Sequence, residues 1–284
     1  MERVFCIGAA HWDHLARADA TPEPGCDLPG RIERRPGGVA LNIAHGLADA
    51  GVTVELIAAI GRDAEGAALA AEIAALGIGT QHLHRAEHTD RYLAIEGPDG
   101  ELFASVADCR VLEATAHDLA DTLIGLAPDH AVIDGNLPAG AIGRLLRGLP
   151  EILPTLIPAS PAKAAALRDV LVPPRRPLRI IANRAEAEAI CATQFSCSTY
   201  AARGLAVIAG QAVVTDGARE AAAHFGDDRV AVATPAPGAA ASLTGAGDRF
   251  AAGFIAADLA AATLQDCLSA GLAAAARHTA RPVP

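Results

Sequence analysis

The run Thr244-Gly245-Ala246-Gly247-Asp248, continued by Arg249-Phe250-Ala251-Ala252-Gly253-Phe254, holds the residues best suited to chemistry. Its Gly-x-Gly turn opens what reads as a helix, and the first helical turn carries a carboxylate. Backbone N–H groups at a helix start lack intrahelical partners and sit at the positive end of the dipole, so such a turn can cradle an anion. A carboxylate placed there would repel a bound phosphate unless it had work to do. The matching work is to take the proton of a hydroxyl that attacks phosphorus. Gly245, Ala246 and Gly247 would then form the anion hole and Asp248 the base, for phosphoryl transfer to an alcohol. No Gly-Lys-[Ser/Thr] follows, so this is not a Walker A loop, and the glycine spacing does not fit the dinucleotide fingerprint. Taken alone, the turn could equally be structural, with Asp248 favoured only by the dipole.

Other positions carry suitable groups. Asp13 follows the first apolar run, where open α/β sheets bind ligands. Gly37 and Gly38 allow a backbone to approach a ligand closely, and Asn42 offers a donor and an acceptor to a diol. The plainer alternative is a tight turn with Asn42 as a local cap. Glu186 falls in the first turn of a helix, where charge is favourable. Thr215 and Gly217 close the apolar run that begins at Gln211.

Three motifs together resemble the ribokinase-type (PfkB) family of carbohydrate and nucleoside kinases. They are Pro36-Gly37-Gly38-Val39-Ala40-Leu41-Asn42-Ile43-Ala44 with Gly51 and Ile60-Gly61-Arg62-Asp63-Ala64-Glu65-Gly66, then Asn183-Arg184-Ala185-Glu186, then Thr244 to Asp248. They occur in the family's order and span essentially the whole chain. The resemblance implies ATP and Mg²⁺ as cofactors, with Asp248 as base and Asp13, Gly37, Gly38 and Asn42 on the sugar. It further implies Glu186 at Mg²⁺, through water because that ion keeps part of its hydration shell. Asn183, Thr215, Gly217 and Thr244 would contact the nucleotide. His11 stands where the family usually has Asn, and Ser242 where many members carry an Asp that shapes a monovalent-cation site. Potassium activation is therefore not implied.

Within the family, several segments are similar to bacterial pseudouridine kinases. They include Cys6-Ile7-Gly8-Ala9-Ala10 with Asp13, Ile133-Asp134-Gly135-Asn136-Leu137-Pro138, and Ala159-Ser160-Pro161-Ala162-Lys163-Ala164. The substrate this implies is pseudouridine, phosphorylated at its 5′-hydroxymethyl group, with the base recognised around Asn136 and a lid. A ribokinase- or fructokinase-like sugar kinase is the alternative, and a non-catalytic sugar or nucleotide sensor a further one. A Rossmann-type oxidoreductase would need Gly-x-Gly-x-x-Gly after the first strand, which Gly8-Ala9-Ala10-His11 does not supply.

The elements that must position these residues alternate. Strands are expected at Val4–Gly8, Val54–Ile60, Ala131–Asp134, Arg179–Ala182 and Gln211–Thr215. Helices are expected at Leu41–Ala50, Ala67–Leu76 and Glu186–Ala192. Such alternation indicates an α/β fold with a doubly wound, mostly parallel sheet flanked by helices, ribokinase-like by the resemblance. The chain reads as one domain, 1–284. Arg91–Glu96 and Glu101–Val106 flank Gly97-Pro98-Asp99-Gly100 and read as a hairpin. With the Pro- and Gly-rich stretch 15–35, the region 90–108 is expected to make a small β lid, which in the family often forms a homodimer interface.

Composition sets outer limits. Half of the 284 residues are hydrophobic (51%) but only 3% aromatic, so the core must be built from Ala, Leu, Val and Ile. A net charge of −10 argues against nucleic acid as a partner, and the resemblance implies a small-molecule one, a sugar or nucleoside. Lys163 is the only lysine, a bias expected of a GC-rich genome. The six cysteines form no Cys-x-x-Cys pair, and His82, His84 and His88 read as part of a loop rather than a metal site. No signal peptide or membrane-length apolar run is visible, so a cytoplasmic protein is expected.

Overall fold

The structure, a computed structural model, describes residues 3–172, 176–226, 228–232 and 245–279. In chain order the elements are β1 (Arg3–Ile7), β2 (His11–Ala18), β3 (Gly30–Gly37), α1 (Val39–Asp49), β4 (Thr53–Gly61), α2 (Ala64–Ala75) and β5 (Gly79–Ala86). There follow β6 (Arg91–Glu96), β7 (Leu102–Asp108), α3 (Arg110–Leu126), β8 (His130–Asp134), α4 (Ala139–Gly148), β9 (Thr155–Ile157) and α5 (Pro161–Leu171). The last are β10 (Leu178–Asn183), α6 (Arg184–Cys191), α7 (Ser198–Ala209), β11 (Gly210–Thr215), β12 (Ala221–Phe225), β13 (Asp228–Val232), α8 (Ala246–Leu259) and α9 (Leu264–Thr279). No helix among the described residues is long and apolar enough to cross a membrane.

The main sheet has the order β13-β12-β11-β10-β9-β8-β1-β4-β5. It is parallel from β5 to β11 and turns antiparallel at β12 and β13. Side chains alternate across a strand, so each parallel strand feeds two cores and reads as a continuous apolar run. Val4 and Cys6 face α1, α2, α8 and α9, whereas Phe5 and Ile7 face α3 to α7. Phe250 and Phe254 of α8 are among the largest fully buried side chains, and most of the remaining core is aliphatic. The result is the expected doubly wound α/β arrangement.

The chain winds outward from β1 in both directions, through β4 and β5 on one side and from β8 on the other. The switch point therefore lies between β1 and β8, where open α/β sheets leave a crevice at their carboxyl ends. Asp134 closes β8 there and is fully buried. Its carboxylate accepts the N–H of Ala9 at 2.9 Å, of Asn136 at 2.7 Å and of Ala40 at 3.3 Å. One side chain thus ties the end of β1, the first turn of α1 and the turn after β8. Gly8 is required beside it, because a Cβ there would lie 2.2 Å from the Asp134 Cβ.

A second sheet, β3-β2-β6-β7, covers the carboxyl edge of the first. The hairpin of β6 and β7 forms at the anticipated place. Asp13 lies on β2 of this sheet rather than in a loop after β1, because the chain resumes an extended path after Gly8-Ala9-Ala10. His82 and His84 likewise lie on a strand, β5. Several contacts anchor the second sheet to the body. Arg34 stacks over Trp12 with its guanidinium 4.1 Å from the ring centre and pairs with Glu65 of α2 at 2.6 Å. Asp90, just before β6, accepts the N–H groups of Val111 and Leu112 and so caps α3 from a distance.

Asp134→Ala would leave three backbone donors without their acceptor. Each buried orphan costs about 1–3 kcal/mol, so a loss of about 3 kcal/mol or more is expected in urea unfolding. Asp134→Asn, which keeps one carbonyl acceptor, should lose less. Wild-type stability in the alanine variant would refute the tie.

Candidate active site

The second sheet and the carboxyl edge of the main sheet enclose a cavity of about 630 Å³. The lid side contributes His11, Asp13, Tyr92, Ser105 and Ala107, and α1 contributes Asn42. The strand ends contribute Asn136, Ser160 and Lys163, then Asn183, Glu186 and Thr215, while Gly245, Gly247 and Asp248 close it from α8. Residues separated by more than 200 positions therefore share one wall.

Asp248 lies in the first turn of α8, whose N-cap is Gly245 in the left-handed region at φ 83°. A side chain at Gly245 would meet His278 and approach Asn42, whereas the Cβ position of Gly247 is open space. The Asn42 amide donates to Asp248 Oδ2 at 2.8 Å. That bond holds one carboxylate oxygen and fixes the group between two helix starts. Burial pushes the Asp248 carboxyl up to about 7; the Asn42 bond opposes this, while Asp134, Glu186 and Asp13 add to it.

Glu186 and Asn183 form a capping box. The Asn183 side chain accepts from the Glu186 N–H, and Glu186 Oε2 accepts from the Asn183 N–H, both at 2.9 Å. The Asn-x-x-Glu spacing is thus first a helix N-terminus. It also brings Glu186 to the cavity wall with its second oxygen free of that reciprocal bond. Burial raises this carboxyl to about 7, against the lowering effect of Asn183.

Asp13 is 5% exposed, with His11 Nδ1 at 3.2 Å and Arg35 Nε at 3.8 Å. A Cβ on Gly37 would fall 2.2 Å from Asp13 Oδ1. That glycine therefore makes room for a carboxylate of the protein itself, and it does not line the cavity among the described residues. Gly38, at φ 105°, does line it, and a side chain there would strike the Ala9 carbonyl. Ala246 is the first residue of α8. Thr215 reaches the cavity from the end of β11; Gly217, at φ 59°, is absent from the described lining. Thr244 and Ser242 lie outside the described residues.

Two residues gain importance that the sequence did not single out for the site. Asp134 anchors the loops beneath the cavity, and its only sequence signal is an acid closing a buried strand. Lys163 donates from Nζ to Asn136 Oδ1 at 2.5 Å. Its signal, being the only lysine, reads first as genomic bias.

Several carboxylates and the start of α8 now share one covered space, with a buried acid in the first turn of that helix. This arrangement can deprotonate a hydroxyl beside an anion. Comparison with known families matches residues 1–281 to the pfkB family carbohydrate kinase. An ATP-dependent ribose-1-phosphate kinase of Halopiger xanaduensis is 28% identical over 306 residues, covering 100% of this chain and 95% of that protein. The pseudouridine kinase of Escherichia coli is 27% identical over 172 residues, or 59% of this chain and 55% of that one. An uncharacterized sugar kinase, YeiI of E. coli, is 32% identical over 148 residues, half of this chain (50%) and 41% of that protein. Among solved structures, the ribokinase of Thermotoga maritima superposes with a TM-score of 0.81 at 19% identity, over 99% of this chain and 93% of that one.

The raised Asp248 carboxyl makes a pH-dependent prediction. An unfolded Asp titrates near 4. Between that value and about 7 the folded protein holds the extra proton, so this group's contribution falls as pH rises. Asp248→Asn should therefore melt close to wild type at pH 5 and above it at pH 8.5. A gap that stays constant between the two pH values would contradict the burial of a titrating acid at this position.

Proposed function

Given that the chain belongs to the pfkB family of carbohydrate kinases, phosphotransferases with an alcohol acceptor, we propose that it phosphorylates the 5′-hydroxymethyl group of pseudouridine from ATP. The observation that carries the reading is the Asn42–Asp248 hydrogen bond at the start of α8. It engages one carboxylate oxygen and leaves the other for a hydroxyl. In the proposed reaction that hydroxyl attacks the terminal phosphorus while Asp248 takes its proton, and the bond to the bridging oxygen of ADP breaks. The N–H groups of Gly245, Ala246 and Gly247 stabilise the transferring phosphoryl group, where preorganised donors contribute most. Asp13 and Asn42 grip the ring diol, with Gly38 clearing space beside them. Asn183, Thr215, Gly217 and Thr244 serve the nucleotide.

A divalent cation fits the donor set. Glu186 offers a hard oxygen that burial makes reluctant to ionise alone, and it lies among other acids. A Mg²⁺ held there through water, mainly by the nucleotide, would neutralise phosphate charge. A nucleoside acceptor is supported by Tyr92, Ser105 and Asn136 in the cavity lining, an aromatic residue and polar groups that a bare pentose leaves unused. A site built to bond a missing group loses heavily when it is absent. The name of the E. coli relative agrees with this reading.

Kinetics with ATP and Mg²⁺ over pseudouridine, uridine, ribose, fructose and ribose 1-phosphate should rank pseudouridine first in kcat/KM. A faster hexose, free pentose or ribose 1-phosphate would overturn the substrate and leave the kinase class standing. Asp248→Asn should retain ATP binding and lose ~10²-fold or more in kcat, the scale of a lost general base. Near-wild-type turnover would remove Asp248 from that role. Asp13→Ala should raise KM for the nucleoside more than for ATP, a loss worth ~1.5–3 kcal/mol; equal effects on the two would count against the partition.

The face of the lid turned away from the cavity supports pairing of two copies. Ile32, Leu93 and Val106 are 75%, 39% and 65% exposed there, on the side of the sheet opposite Asp13, Tyr92 and Ser105, too apolar a group for a sheet surface left in water. Sedimentation should find a dimer that Leu93→Asp with Val106→Asp converts to monomer. A monomeric wild type at micromolar concentration would reject the pairing.

A further inference from the structure

Lys163 occupies a position that helix chemistry alone disfavours. It falls in the first turn of α5, two residues after Pro161, with its N–H accepted by the Ser160 side chain. A cation in a first turn opposes the helix dipole. Its side chain is only partly exposed, and among the described residues no carboxylate lies within ion-pairing distance of Nζ. It is the sole Lys or Arg in the described lining of a cavity that also holds Asp13, Glu186 and Asp248. An ammonium has three donors, and Asn136 Oδ1 takes one of them.

Topology says where the remaining donors can act. α5 follows β9, and β9 stands between β8 and β10 in the main sheet. The β8 side carries Asn136 and adjoins β1, whose continuation bears Asp13. The β10 side carries Asn183 and Glu186 and adjoins β11 with Thr215. Lys163 thus stands at the seam between the wall assigned to the acceptor and the wall assigned to the nucleotide.

We propose that Lys163 Nζ binds the phosphoryl group in transit, and that Asn136 orients it through Oδ1. As the new oxygen–phosphorus bond forms and the bridging bond breaks, electrons collect on the ADP oxygen and the phosphoryl oxygens stay anionic. Lys163 remains protonated throughout, and the hydroxyl proton goes to Asp248. The lysine therefore balances charge without exchanging it. This inference rests on the kinase class and not on the choice of nucleoside.

Lys163→Met, Lys163→Arg and Lys163→Ala test it in the full-length chain, with the best acceptor of the panel. Lys163→Met should lower kcat by ~10²–10³-fold, the scale of a lost oxyanion donor, with little change in acceptor KM. Lys163→Arg should retain part of the rate, and added ethylammonium should restore turnover to Lys163→Ala. In a parallel melting experiment, ADP, Mg²⁺ and tetrafluoroaluminate should stabilise wild type beyond ADP and Mg²⁺ alone. Lys163→Met should lose that increment and keep the ADP shift. Unchanged kcat, or a raised acceptor KM with kcat intact, would overturn the proposal while wild-type turnover upheld the kinase class. Absence of both turnover and the fluoride increment in wild type would sink the kinase reading, and this inference with it.

Discussion

A single buried carboxylate, Asp134, is the constraint on which the cavity depends. Taking an acid out of water is costly, and burial raises its carboxyl above the usual range. The cost is offset only if backbone donors converge on it, and three segments bend to supply them: the break after β1, the first turn of α1 and the turn after β8. Those segments lead into Asp13, Asn42 and Asn136. An apolar residue at the end of β8 would have satisfied the core equally well, yet it would have left the three segments unfastened at the switch point.

From that tie the rest follows by short steps. Fastening Ala40 sets the axis of α1, which projects Asn42 toward the start of α8, and the Asn42–Asp248 bond joins two helix termini across 206 positions of sequence. Fastening Ala9 directs the chain into β2, so the acid that reads like a loop residue rides on a strand of the lid. The lid and the body are therefore not independent: Arg34 of β3 pairs with Glu65 of α2, and Asp90, just before β6, accepts the first N–H groups of α3.

The electrostatic consequence is a cavity richer in acids than its ligands would tolerate alone. Asp13, Glu186 and Asp134 all raise Asp248, and burial raises both Asp248 and Glu186. A pair of acids near 7 is poorly suited to holding the protein together and well suited to exchanging protons or meeting a cation that arrives with a nucleotide. The acidity of the whole chain is no obstacle to this, since backbone N–H groups at a helix start can receive an anion locally.

Much of this was legible in the residues themselves. Alternating apolar runs and helical periods determine a parallel α/β sheet, because a strand buried on both faces has no polar positions to show. Gly245 and Asp248 announce a helix start with an acid in it, because only the local backbone is involved. The pairing partners were not legible. Nothing in the spacing of Asn42 says that its amide meets Asp248, nor in Gly37 that it makes room for Asp13, because such contacts depend on where two helices and two sheets come to rest. Asn-x-x-Glu carried a local meaning, the capping box, that tertiary structure alone turned toward a cavity. Lys163 is the sharpest case: as a lone lysine it looked like composition, and only the place of β9 between β8 and β10 gave its charge a setting.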